Sequence, residues 1–318
     1  MINYLKFENG SFISEPVSTD TTKWLYVEAP TDEEIQQITN NYHLPKDYVT
    51  GILDNEEDPR FEGERQEKLR KTELMILRYP HAKKSPSGYM QLKTYPFALI
   101  ITADNKLINV INSSTDFFKQ IWRQPILNTQ LPLAEAILLE IAWRISLTYN
   151  SFLKEMIKQT DKLEGELKVT TENKQLYQIM DIQKSLVYFE SALSANLHVI
   201  NMLYGEQLFS NPENNSQQLH DILVEIKQGL TTTRIQLKLV DKISDTFSAI
   251  VSNNLNNVMK ILTSLTIVLT IPTIIGGVFG MNVKLPFADR ENTFWWIFLV
   301  TVVLCILTIR GLKKKHLL

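Results

Sequence analysis

The chain has one cysteine, Cys305, in 318 residues. No intramolecular disulfide can form, which fits a reducing compartment. A leading apolar run is missing too: residues 1–14 mix polar, charged and apolar side chains, so no signal peptide is expected and the soluble part should stay where it is made. No GxxxxGK[ST] loop is present to cradle phosphates, so ATP coupling is not indicated. HExxH, zinc-spaced cysteines and nucleophile motifs are lacking as well, which argues against an enzyme. The soluble part also lacks any excess of positive charge. From Lys260 onward seven Lys or Arg stand against two acids, a net +5, so that with −2 overall the first 259 residues carry −7. An acidic body argues against nucleic acid as a partner. It is compatible with an oxygen-rich surface for hard cations, and equally with a merely soluble one.

Charge is absent altogether from residues 261–283, a 23-residue run between Lys260 and Lys284. As a helix this run crosses a bilayer core of about 30 Å. A charged loop, 284–291, separates it from a second uncharged run at 292–309, so a hairpin of two spans is expected. Arg310, Lys313, Lys314 and Lys315 follow the second span, against only Lys284 and Arg290 in the loop. The positive-inside rule then puts both chain ends in the cytoplasm and the loop outside. Phe294, Trp295 and Trp296 read as interfacial anchors.

The first span carries an ordered set of exceptions. Thr263, Thr266, Thr270 and Thr273 recur at steps of three, four and three, followed by Gly277 and Gly280. At about 100° per residue they share one stripe, extended downward by Met259 and Asn256. Facing other copies of the helix around a water path, such hydroxyls would line a pore. Alternatively, they bond to their own preceding carbonyls, and Gly276-x-x-x-Gly280 packs helices.

The chain before the spans divides into two characters. Residues 1–128 read as a mixed α/β domain. Short strands are expected at 2–7, 12–13 and 24–28. Thr31-Asp32-Glu33-Glu34 has the form of a capping box opening a helix. A second short helix follows Pro45 to Leu53. Longer strands are expected at 69–79, 95–102 and 106–111, the last after the turn Ala103-Asp104-Asn105, and then a helix from near Ser114 with Phe117, Phe118 and Trp122. Between Asp54 and Glu62 five acids gather around Pro59 and Arg60, which as residues alone read as a solvated loop.

Residues 129–259 read as long helices. Those at 131–169 and 173–204 form a partly solvated antiparallel hairpin with no assigned chemistry, the second stopped by Gly205. A third runs from about 216 to 281. Positions 219, 223, 226, 230, 233, 237, 240, 244, 247 and 251 step by four and three and are mostly apolar, a coiled-coil-like seam leading straight into the first span. At 1.5 Å per residue this helix is roughly 100 Å long. Such a seam needs neighbours, so oligomerisation is expected. Asp241 and Asp245 lie four apart on it, with Asp221 further down, beside Lys238 and Lys242 as ordinary ion pairs would be.

Gly280-Met281-Asn282, closing the first of two C-terminal spans, resembles the signature of the CorA family of magnesium and divalent-cation transport proteins. Asn257-Val258-Met259-Lys260 before the span, Pro272 inside it and Lys313-Lys314-Lys315 after the second fit the same pattern. The resemblance covers the whole chain in architecture, most strongly from Asp221 onward. It implies an α+β protein: a cytosolic mixed α/β domain (1–128), a long-helix region with a stalk (129–259), the first transmembrane helix (260–283), an extracellular loop (284–291), the second (292–310) and a basic cytosolic tail (311–318). Five copies would form a funnel in the cell membrane.

The resemblance also implies roles. Gly280, Met281 and Asn282 would form the selectivity filter, and Met259 and Leu262 a hydrophobic gate, with Asn256, Thr263, Thr266, Thr270, Thr273 and Gly277 lining the path. Asp245 and Asp221, with Asp54 and Asp58 of the acidic segment, would hold regulatory Mg²⁺ between subunits. Passive Mg²⁺ influx, with Mg²⁺ both transported and sensed, is then the expected function; cobalt transport belongs to the same family. Membrane lipid and copies of the chain are the expected partners, with neither nucleic acid nor ATP. Three departures stand out. Asp58 replaces a usual basic residue, Phe279 replaces the usual tyrosine, and the outer loop is net neutral, with Lys284 and Arg290 against Asp289 and Glu291. A relative tuned to Co²⁺, Ni²⁺ or Zn²⁺ should show soft ligands near the path, whereas His43, His81, His198, His220 and His316 all lie outside the spans. A non-conducting, membrane-anchored sensor or scaffold is the alternative of a different class.

Overall fold

A computed structural model describes residues 1–8, 10–63, 72–113, 116–122, 131–167, 173–205, 212–281, 292–315 and 317. They fall into two compact units, Met1–Ser244 and Asp245–Leu318.

The first unit is built on one seven-stranded sheet. Its strands are β1 (Ile2–Glu8), β2 (Ser11–Glu15), β3 (Thr22–Glu28), β4 (Arg60–Glu62), β5 (Glu73–Lys84), β6 (Met90–Ile101) and β7 (Leu107–Ile111), in the order β2-β1-β3-β7-β6-β5-β4. Only β3 and β7 pair in parallel. The chain between them supplies helices α1 (Asp32–Tyr42) and α2 (Asp47–Thr50), then β4, β5 and β6. The capping box at Thr31 forms as read: its hydroxyl accepts from the Glu34 amide while the Glu34 side chain accepts from the Thr31 amide.

Alternation along the strands sorts the core into two layers. Leu25, Val27, Ile76, Ala98, Ile100, Ile108 and Val110 join Ile35, Ile38, Val49 and Ile52 of the short helices. The opposite face carries Trp24, Tyr26, Tyr79 and Phe97, and α3 (Asp116–Trp122) covers part of it. Phe118 meets Tyr79 edge-on at 5.5 Å and Trp122 meets Tyr26 at 4.9 Å. Both faces are buried, which explains the near-continuous apolar runs of β6 and β7.

Strands β5 and β6 run past the expected limits. β5 continues beyond Tyr79 through Pro80 to Lys84, and β6 begins at Met90, before Pro96. Both prolines sit where they do no harm. β4 flanks β5 only at residues 74–76, and β7 flanks β6 only at 97–101, so each ring lies beyond the stretch that needs donors on both edges. β4 was not expected from sequence; three residues are too short to show alternation.

Helices α4 (Leu133–Leu167), α5 (Asn173–Gly205) and α6 (Pro212–Phe279) match the three expected long helices. The α4–α5 pair is partly solvated, as expected, with Tyr177, Met180, Val187 and Tyr188 exposed, but α5 also lies on the sheet, where Ile179, Leu186, Phe189, Leu193 and Ile200 are buried. The α6 seam does not wait for another copy. Leu219, Leu223, Ile226, Leu230, Thr233 and Val240 are already buried in the single chain. Gly229 marks the tightest approach: a β-carbon there would stand 2.9 Å from Asn150 Oδ1 of α4 and 3.4 Å from Leu193 of α5. Beside it Asn150 Nδ2 donates to Glu225 Oε2 at 2.6 Å. α4 and α5 of the same chain cover these residues, so this part of the seam does not by itself require a second copy.

The second unit holds the membrane-side part of α6 and α7 (Thr293–Lys314), antiparallel to each other. Ser264 Oγ donates to the Leu317 carbonyl at 2.8 Å, and Cys305 Sγ lies 3.9 Å from the Val268 carbonyl. Both helices are long and apolar enough to cross a membrane.

Candidate functional site

The expected pathway residues lie on one helix. Met259 is 52% exposed and Leu262 55%, and Asn256, Thr263, Thr266, Thr270, Thr273 and Gly277 are all exposed. The threonines resolve one ambiguity of the sequence. Thr266 donates to the Leu262 carbonyl at 2.8 Å, Thr270 to Thr266 at 2.7 Å and Thr273 to Leu269 at 2.9 Å. A hydroxyl has one hydrogen and two lone pairs. With the hydrogen committed to the helix, each oxygen is left as an acceptor, the polarity a cation or its water shell requires. The backbone-bonding reading is thus correct for the hydrogens and leaves the oxygens for other use.

Among the described residues nothing lies within 4 Å of a β-carbon built at Gly276 or Gly277, so this small-residue face is not packed against α7. The helix closes at the signature itself: Gly280 N donates to the Gly276 carbonyl at 2.9 Å and Met281 N to Val278 at 3.3 Å. The last carbonyls of a helix carry its partial negative charge, which favours a cation at this end. Asn282 and the loop 284–291 with its Lys284, Asp289, Arg290 and Glu291 lie outside the described residues.

The acidic segment is a held loop. Arg78, almost buried on β5, donates from its guanidinium to the carbonyls of Glu57 and Asn55 at 2.8 Å each, and to the Thr94 carbonyl at 2.8 Å. Asn112 donates to the Leu53 carbonyl at 3.0 Å. Two of the five acids, Glu57 and Glu62, pair with Arg60. Asp54 accepts from the Glu56 amide at 2.9 Å, and Asp58 has no ionic or hydrogen-bonded partner among the described residues. Both aspartates are exposed. Asp221 is exposed and likewise unpartnered among the described residues, and Asp245 is exposed in the second unit. Asp241, by contrast, accepts from Gln183 of α5 at 2.8 Å. Among the described residues no three His, Cys, Asp or Glu gather into a metal cluster.

Sequence reading missed Arg78 and its support. Asn196 of α5 holds the Arg78 backbone, and the buried Tyr149 hydroxyl donates to the Arg78 carbonyl at 3.1 Å. Burial pushes the Tyr149 phenol well above its ordinary range, so it stays a donor. The available signal was a polar residue on the apolar stripe of α5, Asn196 standing three and four residues from Leu193 and Ala192 and from Val199 and Ile200.

An α/β unit, followed by two helices long and apolar enough to cross a membrane, of which the first ends at Gly280-Met281, is the make-up of a two-span membrane protein. A family model described as CorA-like Mg2+ transporter protein matches residues 19–314, and the chain belongs to that family of divalent-cation transporters. Its members are transporters rather than enzymes. The Cobalt/magnesium transport protein CorA of Methanocaldococcus jannaschii is 24% identical over 329 residues, 99% of each chain. The Magnesium transport protein CorA of Helicobacter pylori is 25% identical over 163 residues, half of each chain. The complete structure of the CorA magnesium transporter from Methanocaldococcus jannaschii superposes with a TM-score of 0.80 at 20% identity, over 99% of this chain and 98% of that one.

Proposed function

We propose that the chain forms a homopentameric Mg²⁺ channel in the cell membrane, with both ends cytoplasmic, that admits Mg²⁺ passively. The observation that carries this reading is the exposed stripe of threonine oxygens on α6, their hydrogens turned inward, ending at Gly280-Met281-Asn282. Mg²⁺ gives up water reluctantly. A ring of Asn282 carboxamides and Gly280 carbonyls, set at converging helix C-termini, would hold the hydrated ion without the tight trapping of a carboxylate ring. Threonine oxygens would then accept hydrogen bonds from its water shell, down to a constriction at Met259 and Leu262 that gates by dewetting. Moving a doubly charged ion inward gains about 4.6 kcal/mol per 100 mV, so no other energy source is required.

The regulatory reading rests on exposed carboxylates. Asp54, Asp58, Asp221 and Asp245 are exposed, and a carboxylate site for Mg²⁺ would be shared with a neighbouring copy. At high cytosolic Mg²⁺ the ion bridges subunits and favours the closed ring; at low Mg²⁺ like charges repel and the ring loosens. The ion shifts this equilibrium only by its differential affinity for the closed state.

A second reading, Co²⁺ transport, is favoured by the name of the Methanocaldococcus jannaschii relative. Ion influx into liposomes decides, with wild type beside Asn282→Ala and with Co²⁺ and Zn²⁺ as competitors. Mg²⁺ influx in the wild type that is lost in the variant is the expected result. No flux in either protein across a range of internal Mg²⁺ would leave a membrane-anchored sensor, and Co²⁺ or Zn²⁺ influx without Mg²⁺ would reassign the ion.

A further inference from the structure

In the soluble unit a cavity of about 190 Å³ opens where α4, α5 and the β5–β6 hairpin meet. It is distant in sequence from the expected pathway and regulatory residues. Asp181 of α5 is its central group. The residue is 7% exposed, and its Oδ2 accepts from Ser85 at 2.7 Å and from Ser87. No cation among the described residues pairs with this carboxylate. One helical turn earlier, Gln178 also lines the cavity, and its Oε1 is buried without a hydrogen-bond donor. A buried charge balanced by two hydroxyls alone, next to an orphan acceptor, is a site that lacks a donor-rich cation.

The walls indicate which cation. Leu163, Ile182 and Met90 give the cavity an apolar side, which a hydrated metal ion does not use and a methylene chain does. Glu166 on α4 offers a second carboxylate on the same rim. We infer that this cavity binds a linear aliphatic polyamine, one ammonium on Asp181 and Gln178, the methylenes along Leu163 and Ile182, and a further ammonium toward Glu166. Lys162, 80% exposed and 3.8 Å from Glu166, is the competing charge at the mouth.

The inference stands apart from the transport reading, because the cavity lies wholly within the soluble unit and its readout is binding. The test is calorimetric titration of the full chain in detergent with spermidine. One saturable site per chain is expected, at least tenfold weaker in Asp181→Asn, whose side-chain oxygen still accepts from the serines, and unchanged in Asp54→Asn/Asp58→Asn. Lys162→Gln, a change on an exposed side chain that should not disturb folding, is expected to tighten binding severalfold and keeps the test open should Asp181→Asn unfold. Equal affinity in wild type and both cavity variants would overturn the inference. So would Mg²⁺ binding at the same site, lost with Asp181→Asn and displacing spermidine at comparable concentration, since the site would then belong to the metal.

Discussion

Asn196 on α5 holds both backbone groups of Arg78 on β5: the Arg78 amide donates to Oδ1 at 2.9 Å, and Nδ2 donates to the Arg78 carbonyl at 2.8 Å. One carboxamide thus replaces a missing strand neighbour, and the side chain of the same arginine carries the acidic loop on its other side. Asn196→Leu leaves the buried Arg78 amide without its partner, at about 1–3 kcal/mol, while the Arg78 carbonyl keeps the Tyr149 hydroxyl. We expect a loss of about 1–3 kcal/mol, read as a lowered thermal midpoint of the full chain in detergent. A midpoint unchanged from wild type would show that Tyr149 and water carry the load instead.

Gly229 yields a graded outcome. Alanine gains about 1 kcal/mol in helix propensity, while its β-carbon displaces only the flexible end of Asn150. Gly229→Ala should therefore change stability by less than about 1 kcal/mol. Gly229→Leu must push α6 off α4 and α5 and should cost about 1–3 kcal/mol. Equal midpoints for the two variants would contradict the close approach.

Asp104, in the β6–β7 turn, carries a pH dependence. Burial works to raise its carboxyl, but the Thr102 hydroxyl at 2.5 Å and the Lys106 ammonium at 3.1 Å outweigh it and hold the group below its ordinary value. A depressed folded value means stability present above the unfolded value and lost as pH falls through the folded one. The advantage of wild type over Asp104→Asn should hold steady down to about pH 5 and shrink as pH falls below about 4 toward the lower folded value. A constant gap in midpoint across that range would exclude the turn as its source.

Thr270→Val keeps shape and removes one acceptor from the exposed stripe. If the oxygens serve the ion's water shell, Mg²⁺ influx should drop severalfold while the protein folds and assembles as before. The partner variant Thr308→Val, on α7, should conduct normally. Identical rates in all three proteins would return the stripe to a role in packing.

Asp245→Asn tests regulation. Removing the carboxylate should shift inhibition by internal Mg²⁺ to higher concentration, with maximal influx unchanged. Flux assayed against internal Mg²⁺ gives the midpoint directly; a midpoint that stays put removes Asp245 from the sensor.

Much of this architecture was legible in sequence for identifiable reasons. The capping box at Thr31 needs only two side chains and two amides three residues apart, so it is local and was read correctly. The spans were plain because lipid demands an unbroken apolar run. What failed was non-local. The strand expected to end at Tyr79 runs on through Pro80, because at that point β5 has no β4 neighbour to need its amide. The seam at 219–240 has the same spacing whether it faces another copy or its own α4 and α5. Arg78 and Asp181 carry no motif; their weight comes from partners 118 and 96 residues away.

The lone parallel pair, β3 with β7, also sets a timetable. β1, β2 and β3 can close with β1 in the middle as soon as residue 28 leaves the ribosome, but the open edge of β3 waits for residues 107–111. At about 5–20 residues per second that delay is on the order of ten seconds. Throughout it, Leu25 and Val27 stand on an unpaired edge, the kind of edge other chains can add to. The most vulnerable moment of this membrane protein therefore comes early in its synthesis, before either span has been made.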